Sequence, residues 1–194
     1  IELGKKERIL NLVLAQNKQF LVVKSDKHLS IVDADNFKII SKNTFPEKND
    51  GGSMYGLALG SDDKTIYYTG QQKNLYVGTL SANGTFEQTK TIDLSIKKKF
   101  TNPLGIGLCN TSNLALVALA IANKVAVVDL KNNKVLRNIP VGICPYAVII
   151  SKDESTAFVS NFGGSVPRKG DKTEKSAGSD VAVDENSIAL RGCV

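Results

Sequence analysis

Histidine and cysteine are scarce in this sequence, which contains one histidine, His28, and three cysteines. Metal and haem sites need several such ligands at characteristic spacings, and Cys109, Cys144 and Cys193 fit none of those patterns. Three cysteines cannot all pair with one another, although a Cys144–Cys193 bridge stays open for an exported protein. We therefore predict no metal site, no cofactor, buried or unreactive thiols, and a surface position for His28.

The sequence also lacks a long apolar run and a clustered basic surface. Its longest apolar stretch, from Leu114 to Ala122, is far shorter than the ~20 residues that a membrane-spanning helix needs. The formal net charge is +6, but the lysines are scattered except at Lys97–Lys99, where a solvated loop is expected. No basic stripe with interleaved aromatic residues occurs, and no phosphate-binding loop pattern is present. We therefore predict no membrane span and no nucleic-acid partner.

Four tandem copies of one pattern organise the sequence. Each copy has an alternating apolar stretch, a polar turn and a second β-rich stretch, and equivalent positions are Leu10, Tyr55, Leu104 and Tyr146. These positions are 45, 49 and 42 residues apart, a period typical of the four-stranded blade of a β-propeller. Apolar residues alternate with a period of two, and turn residues recur between the stretches. The pattern therefore predicts an all-β fold with little helix.

The repeat also predicts where the blades begin and end. They fall at approximately residues 9–50, 51–101, 102–143 and 144–194, within a single domain. The apolar stretch that begins at Leu114 has helical propensity, but its place in the repeat predicts a strand buried on both faces. Aspartates recur at the turns, where their side chains are expected to bond the backbone. They are Asp33, Asp62, Asp63, Asp129 and Asp153.

Two segments carry a family resemblance. They are PYAVIISKDESTAFVSN from Pro145 and NKVAVVDLKNNKVLRNIPVG from Asn123. Both resemble the YVTN-type repeat of YncE-like seven-bladed propellers, which begins with Pro-Tyr and closes with Ile-Pro-Val-Gly. The resemblance covers nearly the whole chain. It implies an incomplete β-propeller of four-stranded antiparallel blades, with about three and a half blades of a seven-bladed ring.

The fourth copy carries a long, charged, glycine-rich insertion at residues 161–184. It resembles the insertion in bacterial proteins that join a YncE-like propeller to a C-terminal phosphoesterase of the alkaline-phosphatase type. That resemblance implies a phosphoesterase domain of the parent protein as a partner, and a periplasmic or extracellular location. The first residue is Ile1, which fits either a removed signal peptide or an excised fragment of a longer protein.

The last residues, from Gly192 to Val194, fall where the third strand of the fourth blade is expected to begin. An array of blades that does not close leaves strand edges unpaired, and unpaired edges attract other strands. We therefore expect self-association through open blade edges.

Candidate ligand-binding residues lie in two places. Tyr55 and Tyr146 open the first strands of their blades, near the channel of a propeller, although packing between blades is the alternative role. The insertion supplies Asn161, Arg168 and Asp171, because long loops on rigid scaffolds tend to carry function. It could serve as a lid, as a dock for a further domain, or as a solvated flap. No catalytic residues are predicted, since neither a triad nor an acid–base pair can be identified.

These expectations favour a non-catalytic binding or docking module. The alternative is the propeller part of a hydrolase, either a phosphoesterase fusion or a lactonase-like enzyme, whose active site lies in a C-terminal portion absent from this chain. A lactonase-like site requires a convergent set of His, Glu or Arg side chains, and the presence of a single histidine disfavours such a site. Because propellers host many activities, the fold alone does not choose between the two.

Overall fold

The computed structural model of this chain describes Gly4, residues 6–15, residues 18–190 and Cys193. Sixteen β-strands and no α-helix occur in this described part. Three sheets have four strands each, and in every one the strands follow one another in chain order with antiparallel neighbours. Each of these sheets is therefore a four-stranded meander, the form of a propeller blade.

The strands fall into blades as follows. Blade 1 contains β1 (Ile9–Ala15), β2 (Phe20–Ser25), β3 (His28–Asp33) and β4 (Ile39–Thr44). Blade 2 contains β5 (Gly52–Leu59), β6 (Thr65–Gly70), β7 (Asn74–Leu80) and β8 (Phe86–Asp93). Blade 3 contains β9 (Pro103–Cys109), β10 (Leu114–Leu119), β11 (Lys124–Asp129) and β12 (Lys134–Pro140). Blade 4 contains β13 (Pro145–Ile150) and β14 (Ala157–Asn161), and a separate hairpin follows, β15 (Thr173–Ser176) and β16 (Ser179–Ala182).

Aspartate side chains hold the tight turns between strands, as predicted. The Oδ1 atom of Asp33 accepts hydrogen bonds from the backbone N–H groups of Asp35 and Asn36, at 2.9 and 3.0 Å. Such bonds replace the backbone partners that a turn residue loses, which explains why aspartate recurs there. Among the other aspartates predicted at turns, backbone hydrogen bonds are accepted by Asp62, Asp129 and Asp153.

Apolar side chains pack between neighbouring blades in three successive cores. Residues that share a core are Ile31 with Tyr68 between blades 1 and 2, Leu75 with Val117 between blades 2 and 3, and Leu104 with Val148 between blades 3 and 4. A fully buried aliphatic side chain stabilises the fold by about 1.5–3 kcal/mol. Stacking of blades therefore contributes much of the stability, and one smaller apolar cluster, which contains Val23 and Val32, lies within blade 1.

The apolar stretch that begins at Leu114 is a strand, as the repeat predicted. Ala115 and Val117 of β10 face the core shared with blade 2, whereas Ala118 belongs to the core shared with blade 4. All three are fully buried. The prediction of a strand buried on both faces is thus confirmed. In the part of the chain that the structure describes, no helix is long and apolar enough to cross a membrane.

The first strands of the four blades lie side by side, with β1 against β5, β5 against β9, and β9 against β13. Glycine permits this close approach. A Cβ atom on Gly105 of β9 would lie 2.6 Å from the carbonyl oxygen of Tyr146 on β13. These strands therefore form the inner wall of the array and bring together residues that are far apart in sequence.

Candidate functional site

Two tyrosines from different blades meet on the inner strands. Tyr55 of β5 and Tyr146 of β13 have ring centroids 5.2 Å apart and ring planes inclined at 35°. The intervening inner strand, β9, belongs to blade 3, so the rings bridge blades 2 and 4. Tyr55 is 40% exposed, and Met54 beside it is 64% exposed. Tyr146 is partly buried and packs against the core shared by blades 3 and 4, so Tyr55 supplies most of the exposed aromatic surface.

Polar contacts fix the backbone on both sides of this pair. The side-chain amide of Asn11 on β1 donates a hydrogen bond to the carbonyl oxygen of Tyr55 at 2.5 Å. Close to Tyr146, the backbone N–H of Cys144 donates to Oδ1 of Asn123 at 2.9 Å. Cys144 has a φ of 53°, a left-handed conformation that this hydrogen bond helps to hold. Both tyrosines thus lie on strands whose backbone is held by hydrogen bonds, and not on loops.

A buried polar network lies next to the tyrosine pair. The Nζ atom of Lys24 on β2 donates to the carbonyl oxygen of Gly56 at 2.6 Å and lies 3.3 Å from the hydroxyl oxygen of Ser53. Ser53 in turn bonds the hydroxyl of Thr69 at 2.5 Å. Thr69 donates to the carbonyl oxygen of Leu104 on β9 at 3.2 Å. The network therefore connects blades 1, 2 and 3.

Burial changes the protonation of this network. Lys24 has no exposed surface, and its desolvation lowers the pKa from 10.5 to about 7. An ammonium group without a carboxylate partner is costly to bury, so burial shifts the equilibrium toward the neutral amine. Sequence reasoning missed this lysine. The available signal was a charged residue in a strand, FLVVKS, whose other side chains before Ser25 are apolar.

The insertion places Arg168 and Asp171 in a local turn. The backbone N–H of Arg168 donates to Oδ2 of Asp171 at 2.8 Å. Further along, the β15–β16 hairpin contacts blade 3, where the side-chain amide of Asn123 donates to the hydroxyl of Ser179 at 2.8 Å. The insertion is therefore folded against the β10–β11 loop of blade 3.

Asn161 lies in a different place from the other predicted site residues. It is 6% exposed and lines a groove of about 640 Å³ beside β14. The structure therefore brings Tyr55 and Tyr146 together and joins Arg168 to Asp171. Asn161 lines a groove to which none of these four residues contributes.

His28 differs from its expected surface position. Its side chain is 22% exposed, and Nδ1 lies 2.9 Å from Oε1 of Glu7. The hydroxyl of Ser25 donates a hydrogen bond to the same oxygen at 2.6 Å. Nζ of Lys42 donates to the other carboxylate oxygen of Glu7 at 2.7 Å. This cluster ties the segment before β1 to the start of β3, which accounts for the partial burial of the imidazole.

The three cysteines are free thiols, so the Cys144–Cys193 bridge that the sequence left open is not formed. Burial raises the pKa of the Cys109 and Cys144 thiols. A raised pKa leaves less thiolate, the reactive form. Within the described residues, no group of three or more His, Cys, Asp or Glu side chains could hold a metal ion.

Protein-family models give no match to this sequence, and no curated protein matches it. Solved structures do match. Hydrazine synthase of Kuenenia stuttgartiensis is 13% identical with a TM-score of 0.65, over 78% of this chain and 55% of that one. The β-propeller domain of Cps50 (Swd1) from Myceliophteria thermophila is 9% identical with a TM-score of 0.68, over 81% and 51%. The periplasmic gluconolactonase of Pseudomonas aeruginosa is 14% identical with a TM-score of 0.59, over 70% and 40%.

At such low sequence identity, the similarity to these solved structures shows a shared fold alone. The chain is an all-β protein with the blades of a β-propeller, as its repeat predicted. It spans about half the length of the solved proteins it matches. In the described part, three blades have four strands and the fourth has two, so the array is an incomplete propeller.

Proposed function

We propose that this chain is a non-catalytic binding module that contacts its ligand through the Tyr55–Tyr146 pair. The observation that carries the proposal is the contact between the two rings on the inner strands, with centroids 5.2 Å apart and with Tyr55 40% exposed. Tyrosine offers a large rigid contact area with few rotatable bonds, which makes it frequent at binding hot spots. The buried network of Lys24, Ser53 and Thr69 holds the backbone next to Tyr55, through the hydrogen bond from Lys24 to the carbonyl oxygen of Gly56.

Peptide selection tests this proposal. Random peptides displayed on phage are selected on the immobilised chain, and the affinity of the best synthetic peptide is measured by calorimetry. We expect the double variant Tyr55→Ala, Tyr146→Ala to bind that peptide at least tenfold more weakly. Phe37→Ala is the matched control, because Phe37 is an aromatic side chain with 58% exposure outside the inner strands. Equal binding by the double variant, or an equal loss in the control, would refute the proposal.

A second candidate is the propeller part of a hydrolase whose active site lies outside this chain. The resemblance of the insertion to that of propeller–phosphoesterase fusions supports it. The β15–β16 hairpin adds to that support, since all four residues of β15 are exposed on an element anchored through Ser179. An exposed anchored hairpin is a suitable contact for a further domain.

Enzyme assays separate the two candidates. We expect no hydrolysis of p-nitrophenyl phosphate or of a γ-lactone by this chain alone. The Ser53 hydroxyl lies 3.3 Å from Nζ of Lys24, but both side chains are buried and therefore out of reach of a substrate. Turnover that survives repurification would contradict the binding module. In a longer parent protein, a domain contact predicts slower hydrogen exchange at residues 173–176 than in this chain.

The YncE-like resemblance also supports a periplasmic or extracellular location, and the unpaired edges of an incomplete propeller support self-association. Fractionation of cells that express the parent gene tests the location, and recovery of the product in the cytosol would contradict it.

A further inference from the structure

The loop that connects β8 of blade 2 to β9 of blade 3 presents three consecutive lysines and a phenylalanine to solvent. Lys97–Lys99 are exposed, and Phe100 is 57% exposed. Within the described residues none of these lysines forms an ion pair, and the acidic residue nearest in the sequence, Asp93, is paired with Lys73 at 3.1 Å. The loop therefore offers positive charge that is not neutralised, next to an exposed aromatic ring.

Both ends of this loop are anchored to blade 2. Leu94 and Thr101 are buried, and their backbone N–H groups donate to the carbonyl oxygens of Lys73 and Gln72, at 2.7 and 3.0 Å. The hydroxyl of Thr101 also donates to the carbonyl oxygen of Leu94 at 3.2 Å, which closes the base of the loop. The exposed residues between Leu94 and Thr101 therefore project from a fixed base.

A second exposed apolar side chain lies next to this loop. The backbone N–H of Ile121, in the β10–β11 loop, donates to the carbonyl oxygen of Thr101, the residue after Phe100, at 3.1 Å. Ile121 is 50% exposed. In an antiparallel four-stranded blade, the loop between the second and third strands lies at the end where the first strand begins. Phe100 and Ile121 therefore belong to one surface, at the end of the blades away from the aspartate turns.

The backbone of the tip is not one that lysine favours. Lys97 and Lys98 have φ angles of 51° and 62°, and the N–H of Lys99 donates to the carbonyl oxygen of Ile96 at 3.0 Å, which closes a two-residue turn. Left-handed turns of this kind favour asparagine and glycine. In the part of the chain that the structure describes, no other two consecutive non-glycine residues have a positive φ. Strained positions of this kind cluster at functional sites, so the side chains of the tip point to a role beyond the turn itself.

We propose that this surface, formed by Lys97–Lys99, Phe100 and Ile121, docks the chain peripherally on an anionic phospholipid membrane. Lysines beside such a membrane are attracted to its anionic headgroups, and exposed apolar side chains enter the boundary between headgroups and acyl chains. The long apolar stem of lysine lets its ammonium group stay among the headgroups while a neighbouring ring lies deeper. A turn tip is convex, so it fits a lipid surface, which needs no matching groove. The surface shares no residue with the tyrosine pair.

Vesicle flotation measures this docking. The intact chain is mixed with vesicles of phosphatidylglycerol and phosphatidylcholine in equal parts, and with vesicles of phosphatidylcholine alone. We expect the chain to float with the anionic vesicles only, and to be released as the salt concentration rises. The triple variant Lys97→Gln, Lys98→Gln, Lys99→Gln should bind at least tenfold more weakly, because each lysine near such a surface adds to the affinity. A matched control removes the same charge from exposed turns at the opposite end of the blades, with Lys64→Gln, Lys131→Gln and Lys152→Gln.

The sequence contains no tryptophan, so Phe100→Trp introduces a single fluorescent reporter. Its emission should shift to the blue on anionic vesicles and be quenched by brominated lipids. Phe37→Trp, at a 58%-exposed position in the β3–β4 turn, should show neither change. Circular dichroism and thermal unfolding establish that each variant is folded.

Three results overturn the proposal. They are equal binding to neutral vesicles, an equal loss of binding in the lysine control, and an emission of Phe100→Trp that anionic vesicles leave unchanged. Binding to polyglutamate but not to vesicles would assign the surface to an acidic protein and also overturn it.

Discussion

The Nζ atom of Lys24 lies 2.6 Å from the carbonyl oxygen of Gly56, and no part of this lysine is exposed to solvent. Its charge is not balanced by a carboxylate in the contacts described, which are with a carbonyl and a hydroxyl. The folded chain therefore binds a proton at this site less readily than the unfolded chain does.

This difference predicts a pH-dependent stability. Burial lowers the pKa of Lys24 to about 7 in the folded state, against 10.5 in the unfolded state. Between these values the unfolded chain carries more protons at this site, so the free energy of unfolding rises with pH. From pH 7 to pH 8.5, the wild type should gain ~1–2 kcal/mol relative to Lys24→Met. Denaturant unfolding at several pH values measures this gain.

Lys134→Met provides the control for loss of one positive charge, because Lys134 is exposed on β12. Cysteine ionisation in the unfolded chain begins within this pH range, but it is common to the wild type and both variants and therefore cancels in the comparison. Parallel stability curves for the wild type and Lys24→Met over this window would show that Lys24 keeps its proton in the fold.

The lowered pKa of Glu7 predicts that the fold loses stability in acid. Burial by itself would raise its pKa, but hydrogen bonds from Lys42, Ser25 and His28 outweigh burial and lower the pKa from 4.5 to about 2. Its stabilising effect is therefore complete above pH 4.5 and is lost as the pH falls toward 2. Relative to Glu7→Gln, the wild type should be more stable by about 2–3 kcal/mol at pH 6 and equally stable near pH 2. Urea unfolding at pH 6, 4, 3 and 2 provides the comparison, and a constant difference across that range would contradict the role of the cluster.

The fold could be predicted from the sequence because its signals are local. Alternating apolar residues such as Leu12 and Leu14 mark a strand, and aspartates such as Asp33 mark the turn that follows. Repetition of the pattern four times adds information that a single copy does not contain. It is the repeat that identifies β10 as a strand despite its helical propensity.

The buried network and the insertion could not be predicted in the same way. Lys24, Ser53 and Thr69 meet only because three blades stack, and no spacing in the sequence shows which side chains a neighbouring blade will cover. The β15–β16 hairpin has a fully exposed first strand, so it lacks the apolar alternation that indicates a strand. For the tyrosines, the repeat indicated equivalent positions but not that their rings would touch.

The contact between Tyr55 and Tyr146 predicts an energetic coupling. Aromatic pairs at such distances contribute about 0.5–1.5 kcal/mol beyond burial. A double-mutant cycle with Tyr55→Ala and Tyr146→Ala should give a coupling energy in that range from chemical unfolding. A parallel cycle with Tyr67→Ala in place of Tyr146→Ala should be additive within about 0.5 kcal/mol, since Tyr67 packs in the core between blades 2 and 3. Additivity in both cycles would mean that the tyrosine rings do not stabilise one another.

The outward face of blade 4 predicts self-association. Ile149 and Phe158 are partners in the β13–β14 register, so they share one face of the sheet, and they are 66% and 51% exposed. Their neighbours Val148 and Val159 pair on the opposite face, which packs against blade 3. The exposed pair Ile149 and Phe158 lies on the face of blade 4 that corresponds to the faces buried between neighbouring blades in blades 1 to 3. Such an exposed apolar face favours contact with another apolar face.

Sedimentation velocity at increasing protein concentration measures this association. We expect the wild type to form larger species at high concentration and Ile149→Lys, Phe158→Lys to remain monomeric. Leu136→Lys is the matched control, because Leu136 is 51% exposed but lies on β12, an outer strand of blade 3. If the wild type stays monomeric throughout, or if the control suppresses association equally, the face of blade 4 is not the contact. A charge on that face should act without altering the fold, since both side chains already lie in solvent.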